Sequence, residues 1–176
     1  MTGMRPPVGE FEPRRVEPGE HPALDEALAL VNRDLAATLP EREPLRLMAL
    51  ASWEEGEPED VYVALADGTW WGNQLPGSGA WAGVDPRAVL ADVAEAAQDT
   101  VTERLWQAWP LCTVHNLGMH LGEAEGRPVW RCAGDGRDPG HVRVAVGELE
   151  ALHRPHRPNR KRKGKGKGNR GSAGRD

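Results

Sequence analysis

"DPRAVLADVAEAAQDTVTERLWQAWPLCTVH", residues 85–115, is the stretch whose reading decides the fold. Leu90, Ala94, Ala97, Val101, Leu105 and Ala108 recur at steps of 4, 3, 4, 4 and 3, which is one face of a helix. Asp92, Asp99 and Glu103 fall on the opposite face. Asp85 is a helix-capping residue and Pro86 suits the first turn, where a missing N–H costs nothing. The helix runs directly into Trp109-Pro110 and then Cys112-x2-His115. A Cys-x2-His turn can present a sulfur and an imidazole from one knuckle, so a long amphipathic helix delivers the chain to a candidate metal centre.

Upstream, "HPALDEALALVNRDLAATLP" is a second helix. Leu24, Ala27, Leu28, Val31, Leu35 and Leu39 share a face, Pro22 opens it and Pro40 stops it. "LRLMALASW" reads as a strand with Leu45, Leu47, Ala49, Ala51 and Trp53 on one side. "DVYVALADGTWWGNQL" reads as a hairpin turning at Asp67-Gly68, so Trp70 and Trp71 face opposite ways, and one of them is expected to be exposed or else covered by the long helix or a partner. "PGSGAWAG" is a loop whose glycines lack the strand–GxxxxGK[ST]–helix context of a phosphate cradle. Beyond the knuckle, "RPVWRC" and "HVRVAVGEL" read as strands. The expected fold is α+β: two main helices, a small antiparallel sheet over roughly 45–75, and a zinc-ribbon-like module. Its expected division is a disordered lead-in (1–19), an α+β domain (20–109), the ribbon-like module packed on the second helix (110–152), and a disordered basic tail (153–176).

Two cysteines are too few for a disulfide framework. The chain lacks isoleucine, a bias of GC-rich genomes, and no apolar run approaches the ~18 residues of a membrane span. The start, "MTGMRPPVGEFEPRR", has no apolar core of the signal-peptide kind, so a cytoplasmic location is expected. The net charge of −5 hides a division. Residues 153–176 hold ten Lys and Arg against one acid, a net +9. The other 152 residues hold 12 basic and 26 acidic side chains, a net −14.

Zinc favours four N/S ligands in a tetrahedron. Cys112 and His115 supply one pair. If "GEAEG" (122–126) is the turn of a hairpin, cross-strand partners sum to about 247 in residue number, and His115 faces Cys132. His120 then faces Arg127, roughly 17 Å from the knuckle at ~3.3 Å per strand residue, and is not expected to be a ligand. "AGDGRDPG" consists of turn residues, so Cys132 and His141 can flank the mouth of a second loop. The expected Zn2+ ligands are Cys112, His115, Cys132 and His141. A Cys112–Cys132 disulfide, or buried thiols beside unconnected histidines, are the alternatives.

The helix-to-knuckle segment, with "PVWRC" and "HVRVAVGEL" after it, resembles a group of small uncharacterised actinobacterial proteins. Their pattern is an amphipathic helix ending in a Trp-Pro-x-Cys-Pro-x-His-like knuckle, a Trp-x-Cys strand and a closing Val-Gly-x-Leu. The resemblance covers about residues 86–149, and Thr113 stands where proline is common. It implies zinc and supplies no mechanism.

Four good ligands would leave zinc no open position for water. No His-x-Glu or His-Glu-x-x-His unit occurs, and the Pro-Cys-x-x-Cys of zinc deaminases is missing. Serine occurs only at 52, 78 and 172, and no Ser/His/Asp set stands out. The expected function is therefore a non-enzymatic binding or adaptor protein with a structural zinc and an unknown protein partner. The alternative is a nucleic-acid-associated protein using the ribbon and the tail cations Arg160, Lys161, Arg162, Lys163, Lys165 and Lys167 on phosphates. A zinc-dependent hydrolase is the third reading.

Overall fold

The computed structural model describes residues 12–150 apart from 53, 55, 73, 76–80 and 82. The tail cations and Trp53 lie outside the described residues. Within them the fold is α+β: two helices and two three-stranded antiparallel sheets. In chain order these are β1 (Arg14–Arg15), α1 (Pro22–Thr38), β2 (Arg46–Leu50), β3 (Asp60–Ala64), α2 (Pro86–Leu105), β4 (His120–Ala124), β5 (Arg127–Cys132) and β6 (His141–Ala145). No helix among the described residues is long and apolar enough to cross a membrane.

The first sheet has the order β1-β2-β3, with Leu47 opposite Val63 and Ala49 opposite Val61. Arg14 and Arg15 pair with Ala49 and Met48, and Val16 is buried. Strand β1 thus lies inside the stretch 1–19 expected to be a disordered lead-in. Two charged residues in a row carry no strand period. Their pairing comes from β2's open edge and from Arg14, whose guanidinium joins Glu59 and Glu20 across the chain. The hairpin after β3 does turn over 65–68, with Gly68 at φ 85°, where a side chain would be strained. Its return strand, however, is reduced to two bridges, Trp70 with Ala64 and Leu75 with Val61. Trp70 stacks on Tyr62 at 4.9 Å, while Trp71 is exposed.

Thr100, fully buried on α2, fills the gap in that ladder. Its hydroxyl lies 2.8 Å from the Val63 carbonyl and 3.0 Å from that of Trp71, and it accepts from the Trp71 N–H at 3.2 Å. Thr100→Val keeps the shape but leaves the Trp71 N–H and a carbonyl without partners. The expected loss is about 1–3 kcal/mol in urea unfolding, and an unchanged midpoint would contradict this role.

The helices begin as their sequences dictate. Asp85 accepts from the Arg87 N–H at 2.9 Å, and both helices carry proline in the first turn. On α1 the buried stripe is Leu24, Ala27, Leu28, Val31, Asp34 and Leu35. On α2 the stripe is rotated from expectation. Val89, Val93, Ala94, Ala96, Ala97, Thr100 and Val101 are buried, Leu90 and Leu105 are only partly covered, and Ala108 is exposed beyond the helix end. Leucine spacing misled here because α2 packs its small residues against α1 and β3, which a bulky row would hold apart.

The second sheet has the order β4-β5-β6. Its register corrects the expected pairing: Ala124 faces Arg127 and His120 faces Arg131, a sum of 251 rather than 247. Glu125 and Gly126 alone form the turn, with φ of 53° and 70°, as a two-residue hairpin with both centres left-handed requires. This sheet packs on α1 as well as α2. Fully buried Trp130 donates from Nε1 to Asp34 at 2.7 Å, Trp109 donates from Nε1 to Thr38 at 2.8 Å, and the two indoles meet edge to face at 5.5 Å. A single apolar cluster runs from Val16 to Leu149 through both sheets.

Candidate metal centre

The knuckle forms just past α2. The Met119 N–H donates to the Pro110 carbonyl, Leu111 bridges to Gly118, and the Cys112 N–H donates to the Leu117 carbonyl at 2.8 Å. Inside that ladder the Asn116 N–H returns to the Cys112 carbonyl at 2.7 Å. Asn116 turns the chain at φ 56°, a region asparagine tolerates better than most residues. The turn brings His115 back beside Cys112.

The second pair comes from the β5–β6 hairpin. Cys132 ends β5, His141 begins β6, and the two are direct cross-strand partners. Between them the loop is tight. A Cβ at Gly134 would sit 2.2 Å from the Asp138 carbonyl oxygen, and one at Gly140 2.9 Å from that of Cys132, so neither position has room for a side chain. Asp135 accepts from the backbone N–H groups of Arg137 and Asp138 at 2.9 Å each, which fixes the loop from inside.

Three of the four expected residues, Cys112, His115 and His141, meet as one group, and the fourth, Cys132, approaches His115. Cys112 Sγ lies 3.8 Å from His115 Nδ1 and 3.7 Å from His141 Nε2, and Cys132 Sγ lies 3.3 Å from the same His115 Nδ1. The donor atoms of Cys112, His115 and His141 all fall within 4.8 Å of one another, a grouping that can hold a metal ion. Both cysteines are free thiols, 0% and 2% exposed. The Gly134 N–H points at Cys132 Sγ from 3.4 Å. On the far side of its ring, His115 Nε2 is buried without a hydrogen bond, and Asp138 Oδ2 stands 3.6 Å away. Asp138 therefore occupies the place from which a carboxylate orients a metal-bound imidazole. His115, Asp135 and Asp138 form a second grouping, but both acids are exposed.

The electrostatics favour ionised sulfur. Burial resists ionisation of Cys112, but the backbone N–H groups of His115 and Val114, the His115 ring and Cys132 outweigh it, and the thiol falls from 9.0 to about 6. His115 is raised, first by Cys112 and against burial, with Asp138 and Asp135 adding to the rise. Metal-stripped, reduced protein is thus expected to develop thiolate absorbance near pH 6. Its appearance only near the ordinary thiol value would contradict this environment.

His120 is not among the converging side chains, though for a reason other than distance. It sits opposite Arg131, the neighbour of Cys132, and not at the far end of the hairpin. Side chains alternate along a strand, so His120 and Arg131 share the exposed side while Cys132 points inward. Asp138 is not legible in the sequence, because an acid within a glycine-rich turn is also the signal of any solvated loop. No family model, no curated protein and no solved structure matches the chain.

Proposed function

We propose that Cys112, His115, Cys132 and His141 hold one Zn2+ in a structural, ribbon-like site of a non-enzymatic binding or adaptor protein. The observation that carries this reading is the approach of two buried sulfurs to a single imidazole nitrogen, with a second imidazole completing the group. A zinc ion with Zn–S of ~2.3 Å and Zn–N of ~2.0–2.1 Å in tetrahedral geometry sets its sulfur and nitrogen ligands ~3.6 Å apart. The S···N separations of 3.3, 3.7 and 3.8 Å straddle that value. Thiolate with imidazole is a donor set that suits zinc, and four protein ligands close the site to a reacting water.

Protein purified under reducing, chelator-free conditions is expected to carry about one zinc per chain. His141→Ala should lose it and His120→Ala should keep it. Metal-free wild type would sink the site. Retention in His141→Ala with loss in His120→Ala would keep the metal and replace a ligand.

The charge division supports a second reading, nucleic-acid association through the +9 segment 153–176. Phosphate contacts by such a segment weaken steeply with salt. Binding to duplex DNA or RNA that survives deletion of 153–176 would remove the tail from that role.

A further inference from the structure

Four of the large apolar side chains that reach solvent lie together around the knuckle. Trp106 is 89% exposed, Val114 65%, Leu117 41% and Leu111 39%. Leu111, Val114 and Leu117 belong to the knuckle itself, where Leu111 bridges to Gly118 beside Leu117, and Trp106 is the left-handed cap that ends α2 just before it. None of these four side chains is among the grouped donor atoms of Cys112, His115 and His141.

A groove of about 220 Å³ adjoins this patch. Gly118 and Ala108 line it beside the patch, and Asp99, Thr102, Glu103 and His120 line the rest. Its carboxylates are Asp99 and Glu103, and no Lys or Arg is among the described residues that line it.

We infer that the knuckle and this groove form a docking surface for a partner protein segment that carries aliphatic side chains next to Lys or Arg. The aliphatic groups cover Val114, Leu117 and Trp106, and a cation meets Asp99 and Glu103. Two other occupants fit less well. Apart from Pro155 and Pro158, the chain's own basic tail has no apolar side chain larger than alanine after Leu152, so it matches the carboxylates but not the aliphatic patch. A second copy would press together two bodies that carry −14 each over residues 1–152. A basic partner gains from the same charge, and aliphatic contact supplies what the tail lacks.

The test uses the full-length, isotopically labelled protein, its metal content measured first, and three synthetic 12-residue peptides of alternating Lys/Leu, Glu/Leu and Lys/Ser. The Lys/Leu peptide should bind and shift the amide signals of 102–106 and 111–118. Each of the other two should bind at least tenfold more weakly. Val114→Asp combined with Leu117→Asp should abolish Lys/Leu binding while leaving the metal content unchanged. Equal affinity for the three peptides, shifts spread away from the knuckle, or unchanged affinity in the double variant would overturn the proposal. So would a concentration-dependent dimer whose signals change at Val114 and Leu117, which would make a second copy the occupant. Metal-free protein that still binds the Lys/Leu peptide at the knuckle would support the surface while sinking the zinc reading.

Discussion

Replacing Cys112 or Cys132 with serine is expected to remove tight zinc binding and to free the knuckle and the 133–140 loop while the helices hold. Loss of an outer partner costs a metal site about 10–100-fold in affinity, so loss of a thiolate should cost about a thousandfold or more. The consequence for stability is regional. Structural zinc in small modules contributes on the order of 10 kcal/mol of apparent binding energy, most of it to chain that has little else to hold it. Residues 111–118 and 133–140 are such chain, joined by a few backbone bonds and a glycine-rich turn. β5 is different, because Trp130 and Val129 are buried against the main body. In amide exchange the knuckle and loop should therefore lose protection by tenfold or more in either variant, or on chelation. β5 should change least within the second sheet, and α1 and α2 should not respond. Wild-type zinc affinity in Cys132→Ser would remove Cys132 from the site. Loss of protection spread evenly over α1 would show that the metal supports the whole fold.

Removal of the Asp34 carboxylate is expected to destabilise the molecule more than any other single change in its core. Asp34 is fully buried on α1 and accepts three hydrogen bonds. Its Oδ2 takes Trp130 Nε1 and the Gly147 N–H, each at 2.7 Å, and its Oδ1 takes the Leu149 N–H at 2.9 Å. Burial pushes this carboxyl up, and the three donors pull against it. Asp34→Ala orphans all three donors, each worth about 1–3 kcal/mol when left unpaired, for an expected loss of about 3–5 kcal/mol. Asp34→Asn keeps the shape but turns an amide NH2 towards N–H groups, for about 2–3 kcal/mol. Urea unfolding measures both. A loss under about 1 kcal/mol in Asp34→Ala would show that the β6 end is held by packing alone. That packing is close, since a Cβ at Gly147 would lie 3.0 Å from Leu30 Cβ.

Much of this was legible in the sequence because its causes are local. Helix limits follow from Pro22, Asp85 and Pro86 together with a 3.6-residue apolar period, and each is decided within a turn or two. The knuckle follows from the Cys112–His115 spacing, and the pairing of Cys132 with His141 from a loop made of turn residues. The hairpin register was not legible. "GEAEG" offers several turns, and only the assembled sheet selects Glu125-Gly126. That difference of four in the pairing sum moved His120 from the far end of the hairpin to a place beside Arg131, where the pleat, not distance, turns it away. The position of Asp34 three residues after Val31 marks it as a polar intruder on an apolar stripe. Its partners Trp130, Gly147 and Leu149 stand 96 to 115 residues along the chain. Periodicity and spacing report what a residue's neighbours in sequence require. Which distant N–H groups satisfy a buried carboxylate, and which face of a strand meets the core, are set only when the sheet closes on the helices, because both depend on burial that no local segment achieves alone.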